Sequence, residues 1–351
     1  MNREYGIDLL KIVSMFMIVI LHILLKGGIL SHIYTGTSEW QVAWFLECAC
    51  MSSVNCFALA SGYVGISAQH KYSRIILIWL QTIFYCWTAL SISLFYFKIN
   101  ITDSDLLKSI FPITFGAHWY ITAYILLAFF MPYLNSIVNN ISKSQCIQFI
   151  IISLLLFSIW PTFATIDIFK IHNGYSPAWL IILYIVGAII KKYNLFCSTK
   201  FTFIQYIICS ILTYLIVFIC DKYQIYMFGN IVSNSWIQYT SPFVLIGSLM
   251  LFISFKNLKI KSNIGNYITT ISKCSLGVFL IHTTPTLWNN YMKDRFIQYT
   301  NYDTMNMTFA IFGTAIFIYV SCTLIDYIRI WIFKICKINN IARIVDKKFC
   351  K

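Results

Sequence analysis

The chain has 351 residues, of which 59% are hydrophobic, 18% aromatic and only 11% charged, with a net charge of +14. Soluble domains carry roughly 25% charged residues, so this composition, with a mean hydropathy of +0.74, excludes a soluble globular class. The apolar residues lie in continuous runs of about 20, the length that crosses a hydrocarbon core of ~30 Å. A β-barrel would show ten-residue segments of alternating hydropathy instead. The fold class expected is all-α, a polytopic membrane helical bundle, with residues 1–351 as one domain.

Ten spans are expected, at about 7–26, 40–60, 73–97, 118–135, 146–164, 177–190, 202–220, 238–255, 273–290 and 306–333. With the N-terminus in the cytoplasm, 18 of the 26 Lys and Arg fall on the inner side, seven on the outer side, and Lys11 lies within the first span. That bias is the positive-inside rule; it places both termini in the cytoplasm and assigns the basic excess to topology, so no nucleic-acid partner is expected. The cell inner (plasma) membrane is the expected location.

The first span carries the stretch DLLKIVSMFMIVILH. Its apolar run is too long for a signal peptide and no small-x-small cleavage site follows, so it is expected to remain in the protein. Intramembrane ionisable residues are rare and either functional or paired. At 100° and 1.5 Å per residue, Lys11 and His22 share one face roughly 16 Å apart, and Asp8 joins Lys11 as an i, i+3 pair. Such a stripe faces protein or water, not lipid. Asp8 and Lys11 also fit an interfacial salt bridge with a snorkelling lysine, and His22 fits a hydrogen-bonded core histidine.

The second span enters near Trp40 and carries Glu47 about 10 Å deep, near the level of His22. A carboxylate beside an imidazole orients it and raises its basicity; the alternatives are another partner or a protonated acid. The span closes in FALASGYVGI, where Ser61 and Gly62 are expected to break the helix, before Lys71 and Arg74. Small residues next to cationic groups suit a phosphate-bearing ligand, and a glycine turn with positive-inside anchors suits the same residues.

The longest loop, 98–117, leads into the fourth span at GAHWYITAY. There His118, Trp119 and Tyr120 read either as an interfacial aromatic belt or as the mouth of a sugar-stacking site. Pro177, at the start of the short sixth span, suits a first-turn position. In SLGVFLIHTTP, His282 is placed about 13 Å into the ninth span, with Pro285 loosening the helix after it; a core and a functional role are both open. Nine of the twelve cysteines sit inside apolar runs without a C-x-x-C pair, so they read as packing residues and not as disulfides or metal ligands. No metal is expected.

These motifs together resemble the acyltransferase-3 family of integral membrane acyltransferases. The resemblance is carried by IDLLKIVSMFMIVILH, FALASGYVGI with Arg74, HWYITAYILLAFFMPYLN and SLGVFLIH. The family has arginine where this chain has Lys11, which keeps the charge but loses the bidentate fork. The resemblance implies transfer of an acyl group, commonly acetyl from acetyl-CoA, to an envelope carbohydrate or lipid-linked glycan acceptor. On that basis Asp8, Lys11, Ser61 and Arg74 are expected to hold the donor. His22, oriented by Glu47, carries the chemistry as base or acyl carrier, and His118, Trp119, Tyr120 and His282 contact substrate. A transporter or a non-catalytic uptake or sensing module are the competing readings, although no matched pair of interrupted helices supports the transporter.

Overall fold

The computed structural model describes residues 3–98, 101–196, 200–227 and 230–349. Helix α1 (Tyr5–Leu24) is apolar on nearly every face and has no room for a polar stripe except toward other helices. It ends in a Gly27–Gly28 turn that is stitched to a later loop, Asp294 N–H donating to the Lys26 carbonyl (3.0 Å) and Phe296 N–H to that of Gly27 (2.9 Å). A short α2 (Ile29–His32) leads to α3 (Ser38–Cys50) and α4 (Ser52–Gly65). Met51 between them keeps helical dihedrals, so Ser38–Gly65 spans as one 28-residue element.

That element corrects one expectation: Ser61 and Gly62 do not break the helix, which runs on to Gly65. Gly62 serves a helix crossing instead. A Cβ there would fall 1.8 Å from the Tyr184 carbonyl oxygen, and one at Gly187 would fall 2.1 Å from that of Leu59. The paired glycines let α4 and α10 (Pro177–Lys192) meet backbone to backbone, the use membrane helices make of small residues.

Helix α5 (Tyr72–Phe95) is followed by α6 (Asp103–Ile110), capped by Thr102, within the long loop, and then by α7 (Trp119–Asn140). Helix α8 (Lys143–Leu154) starts in a Ser142–Gln145 capping box and continues through a π-helical turn into α9 (Trp160–Ala164). As expected, Pro177 opens α10 in its first turn, behind a Ser176 cap. Next come α11 (Thr202–Lys222), a minimal hairpin of β1 (Tyr226–Met227) and β2 (Asn230–Ile231), α12 (Val232–Trp236) and α13 (Pro242–Lys256). The chain closes with α14 (Ser262–Ser272), α15 (Ser275–His282), α16 (Pro285–Leu287), α17 (Thr304–Ile335) and α18 (Ile338–Phe349).

Among the described residues, eight helical segments are long and apolar enough to cross a membrane. The all-α polytopic bundle is thus the observed architecture. The sixth and eighth expected spans are helices of 16 and 15 residues, about 24 and 22 Å at 1.5 Å per residue, short of a ~30 Å core. The ninth differs in register. It runs Ser262–His282, so His282 ends the span instead of lying in its middle, and Pro285 begins a new short helix. The polar sequence of α14 (SNIGNYITTIS) concealed the true start.

The main core gathers α1, α4, α10, α13, α15 and α17, with Val19, Ile23, Leu59, Leu180, Tyr184, Phe252 and Leu280 fully buried. A polar knot at Asp326 joins α5, α15 and α17. The carboxylate, fully buried, accepts from Arg329 (2.8 Å), Gln81 (3.1 Å) and the Tyr85 hydroxyl (2.5 Å). Gly277 makes room for it, since a Cβ there would lie 2.2 Å from the Asp326 carboxyl carbon. The nine cysteines of the apolar runs are buried free thiols.

Candidate functional site

At one end of α1, Asp8 gathers three donors: Arg3 Nε at 2.6 Å, Thr269 Oγ1 at 3.1 Å and Lys11 Nζ at 3.5 Å. With its acceptors so engaged, Asp8 positions Lys11 and is itself absent from the wall of the adjoining cavity. Lys11 is on that wall, together with Ser61, whose hydroxyl donates to the Phe57 carbonyl at 2.8 Å, and the exposed Arg74.

The cavity has a volume of about 530 Å³ and runs along α1 from Lys11 through Met15 and Ile18 to His22 and Lys26. It therefore connects the basic end with the histidine end, a distance of roughly 16 Å between Lys11 and His22 by helix rise. Glu47, His118, Trp119 and Tyr120 also line it. Eight of the ten expected site residues line this one cavity, namely Lys11, His22, Glu47, Ser61, Arg74, His118, Trp119 and Tyr120, and Asp8 and His282 do not.

His22 is oriented by a different partner from the one expected. Its Nδ1 lies 2.8 Å from His282 Nε2, and His282 Nδ1 lies 2.6 Å from the Val278 carbonyl oxygen. A carbonyl only accepts, so His282 Nδ1 carries the proton and its Nε2 accepts in the neutral ring. His22 Nδ1 must then donate, which leaves the lone pair on His22 Nε2. His282 does not line the cavity; it stands behind His22 and fixes its tautomer. Trp288 meets the His22 ring edge-on at 4.7 Å and Lys26 lies over the Trp288 ring.

Glu47 makes no such bond. Its Oε2 is buried without a hydrogen-bond partner, and the residue is 6% exposed. The expected His22–Glu47 pairing is thus replaced by His22–His282. His118 is buried between Thr283 Oγ1 at 3.0 Å (from Nδ1) and the Cys86 thiol at 3.5 Å (from Nε2).

Three aromatic residues form one wall. Trp119 and Tyr239 stack at 6.1 Å, and Tyr175 lies 4.7 Å from each. The wall is held from behind: Asn55 Nδ2 donates to the Tyr239 carbonyl at 2.8 Å, and Asn55 Oδ1 accepts from Trp179 at 3.0 Å. Gly174, at φ +99°, packs so closely that a Cβ would meet that of Tyr239 at 2.6 Å. Sequence reasoning missed Tyr175, Tyr239 and Trp288, which sit in loops or short helical turns where periodicity carries no signal. It also missed the role of His282, although two histidines at the ends of apolar helices were visible.

A helical bundle with eight segments long and apolar enough to cross a membrane among the described residues, and an interior cavity that joins a cationic end to an oriented imidazole, defines the class: a multi-pass membrane protein with an internal polar site. The chain belongs to the acyltransferase-3 family, whose acyltransferase domain matches residues 4–326. It is a membrane acyltransferase. No curated protein and no solved structure matches it.

Proposed function

We propose that the protein moves an acetyl group from cytoplasmic acetyl-CoA to a hydroxyl of an envelope carbohydrate or lipid-linked glycan, at the inner membrane with both termini cytoplasmic. The observation that carries this reading is the single cavity reaching from Lys11 and Arg74 to His22. The phosphates of the donor would meet the cations, which bind such groups by charge-assisted hydrogen bonds. The thioester arm then lies along the apolar walls of Met15, Ile18 and Val54 toward His22.

In this reading His22 Nε2 takes the proton from the acceptor hydroxyl as its oxygen attacks the thioester carbonyl. The proton is returned to the departing CoA thiolate, so the imidazole ends neutral. His282 assists by accepting from Nδ1 throughout, which holds the ring and supports the transient imidazolium.

The test is transfer of labelled acetyl from acetyl-CoA into envelope carbohydrate by membranes carrying the wild-type chain or His22→Ala at matched levels. Loss of a general base costs typically 10²–10⁴-fold. Undiminished transfer by His22→Ala sinks the mechanism.

A further inference from the structure

Several buried polar atoms among the described residues lack a hydrogen-bond partner, Glu47 Oε2 among them, and Glu47 is the residue of that set that lines the cavity. An unpaired buried polar group is costly, roughly as costly as a hydrogen bond lost outright. A carboxyl kept there, facing the cavity and not paired with the neighbouring imidazole, is suited to a ligand that brings its own donors. Across the same cavity stands the Trp119–Tyr175–Tyr239 wall.

We propose that Glu47 and this aromatic wall form the acceptor subsite, taking a neutral pyranose unit whose ring lies on the aromatic faces and whose hydroxyls donate to the Glu47 carboxyl. This rests on the acyl-transfer reading for its place in catalysis. Two arguments select the ligand class. A carboxyl accepts two parallel donors, which adjacent ring hydroxyls supply and an acyl chain does not. A sugar bearing its own carboxylate or phosphate near that position would have to desolvate a full charge beside a buried carboxyl, so uronic and phosphorylated units are disfavoured here. The cations at the Lys11–Arg74 end draw the donor's phosphates away from Glu47, so the two substrates enter the cavity with fixed polarity. Glu47 is then a binding residue and not the group that orients His22.

The aromatic wall has the rigidity such a role requires. Tyr239 is tied through its backbone to Asn55, and Asn55 to Trp179, while Gly174 lets the Tyr175 loop press against it. A flat ring presented without freedom of its own loses little entropy on binding a sugar.

The experiment uses the full chain in lipid nanodiscs, with methyl β-glucopyranoside and methyl β-glucuronopyranoside as probes and, among the ten tryptophans, the fluorescence component that Trp119→Phe removes as readout. The neutral glycoside should quench and the glucuronide should bind at least 10-fold more weakly. Glu47→Leu should weaken the neutral glycoside roughly 10- to 100-fold, and Glu47→Gln several-fold less than that. Should Glu47→Leu fail to fold, Glu47→Gln with an unshifted thermal midpoint decides alone. No quenching by either probe, equal affinity of wild type and Glu47→Gln in that case, or preference for the glucuronide overturns the subsite. Acetyl transfer is measured on the same samples. Transfer with an unchanged acceptor KM in the Glu47 variants overturns the subsite but not the chemistry, whereas glycoside binding without any transfer overturns the chemistry but not the subsite.

Discussion

His282→Ala tests the orienting role directly. The substitution removes the acceptor at 2.8 Å from His22 Nδ1 at a site where His282 is only 4% exposed. Two effects follow. The His22 N–H is left buried and unpaired, at a cost of about 1–3 kcal/mol. The ring is also free to place its proton on Nε2, the atom that must stay basic. Only the part of the bond that strengthens as His22 becomes an imidazolium counts toward kcat; at about 1–2 kcal/mol for a charged over a neutral donor, and tenfold in rate for every ~1.4 kcal/mol, the predicted loss is roughly 5- to 30-fold. The loss should be smaller than for His22→Ala, because the base itself remains. His282→Gln, which can offer an amide oxygen near the same place, should recover part of it. Since the two histidines act as a unit, the double variant should be no worse than His22→Ala alone, the non-additivity expected of coupled groups. The assay is acetyl transfer under saturating donor, with donor affinity measured in parallel to confirm that the cavity persists. Wild-type kcat in His282→Ala, or strictly additive losses in the double variant, refutes the dyad.

Two further outcomes are expected. Lys11→Ala and Arg74→Ala should each weaken acetyl-CoA binding roughly 10- to 150-fold, from about 1.5–3 kcal/mol per charge-assisted contact, while Lys11→Arg is tolerated; unchanged affinity in both alanine variants moves the donor elsewhere. Cys336, which is exposed beyond the end of α17, should resist an impermeant maleimide in intact cells and react once they are permeabilised, with Cys336→Ser as the control. Labelling from outside reverses the proposed orientation.

The bundle was legible in the sequence because hydropathy in runs of 20 residues is a property of each segment alone, needing no knowledge of its neighbours. The chemistry-bearing positions of α1 were legible for a related reason: 3.6-residue periodicity fixes that Lys11 and His22 share a face. What failed was partnership between segments. Depth arithmetic put Glu47 at the level of His22 but carried no information about azimuth, and His282 reached the imidazole first. Its own depth was misjudged because polar α14 hid the first half of its span. Ser61 and Gly62 were misread for a similar reason. Glycine in an isolated helix lowers its stability, yet against the bare backbone of α10 it allows a contact that no other residue permits. The Asp326–Arg329 pair lay in the sequence at i, i+3 and went unremarked; only the packing of α5 against α17 shows that Gln81 and Tyr85 complete it.

Two of the polar clusters inside this bundle differ in one respect that bears on function. At Asp326 the acceptors are matched by donors from Arg329, Gln81 and Tyr85, and no lining of the cavity is involved. A fully satisfied buried network specifies and rigidifies a fold, so its role is complete within the chain. Along the cavity the accounting stays open. His22 Nε2 keeps a lone pair by the tautomer argument, and Glu47 Oε2 has no partner. Both are acceptors, and the ligand class that supplies donors to both at once is a polyhydroxylated one. A hydroxyl that meets His22 is positioned to lose its proton, and neighbouring hydroxyls that meet Glu47 would fix which one that is. In the proposed acceptor subsite, the position acylated on the sugar would thus be selected through the separation of two acceptors, not through the base alone.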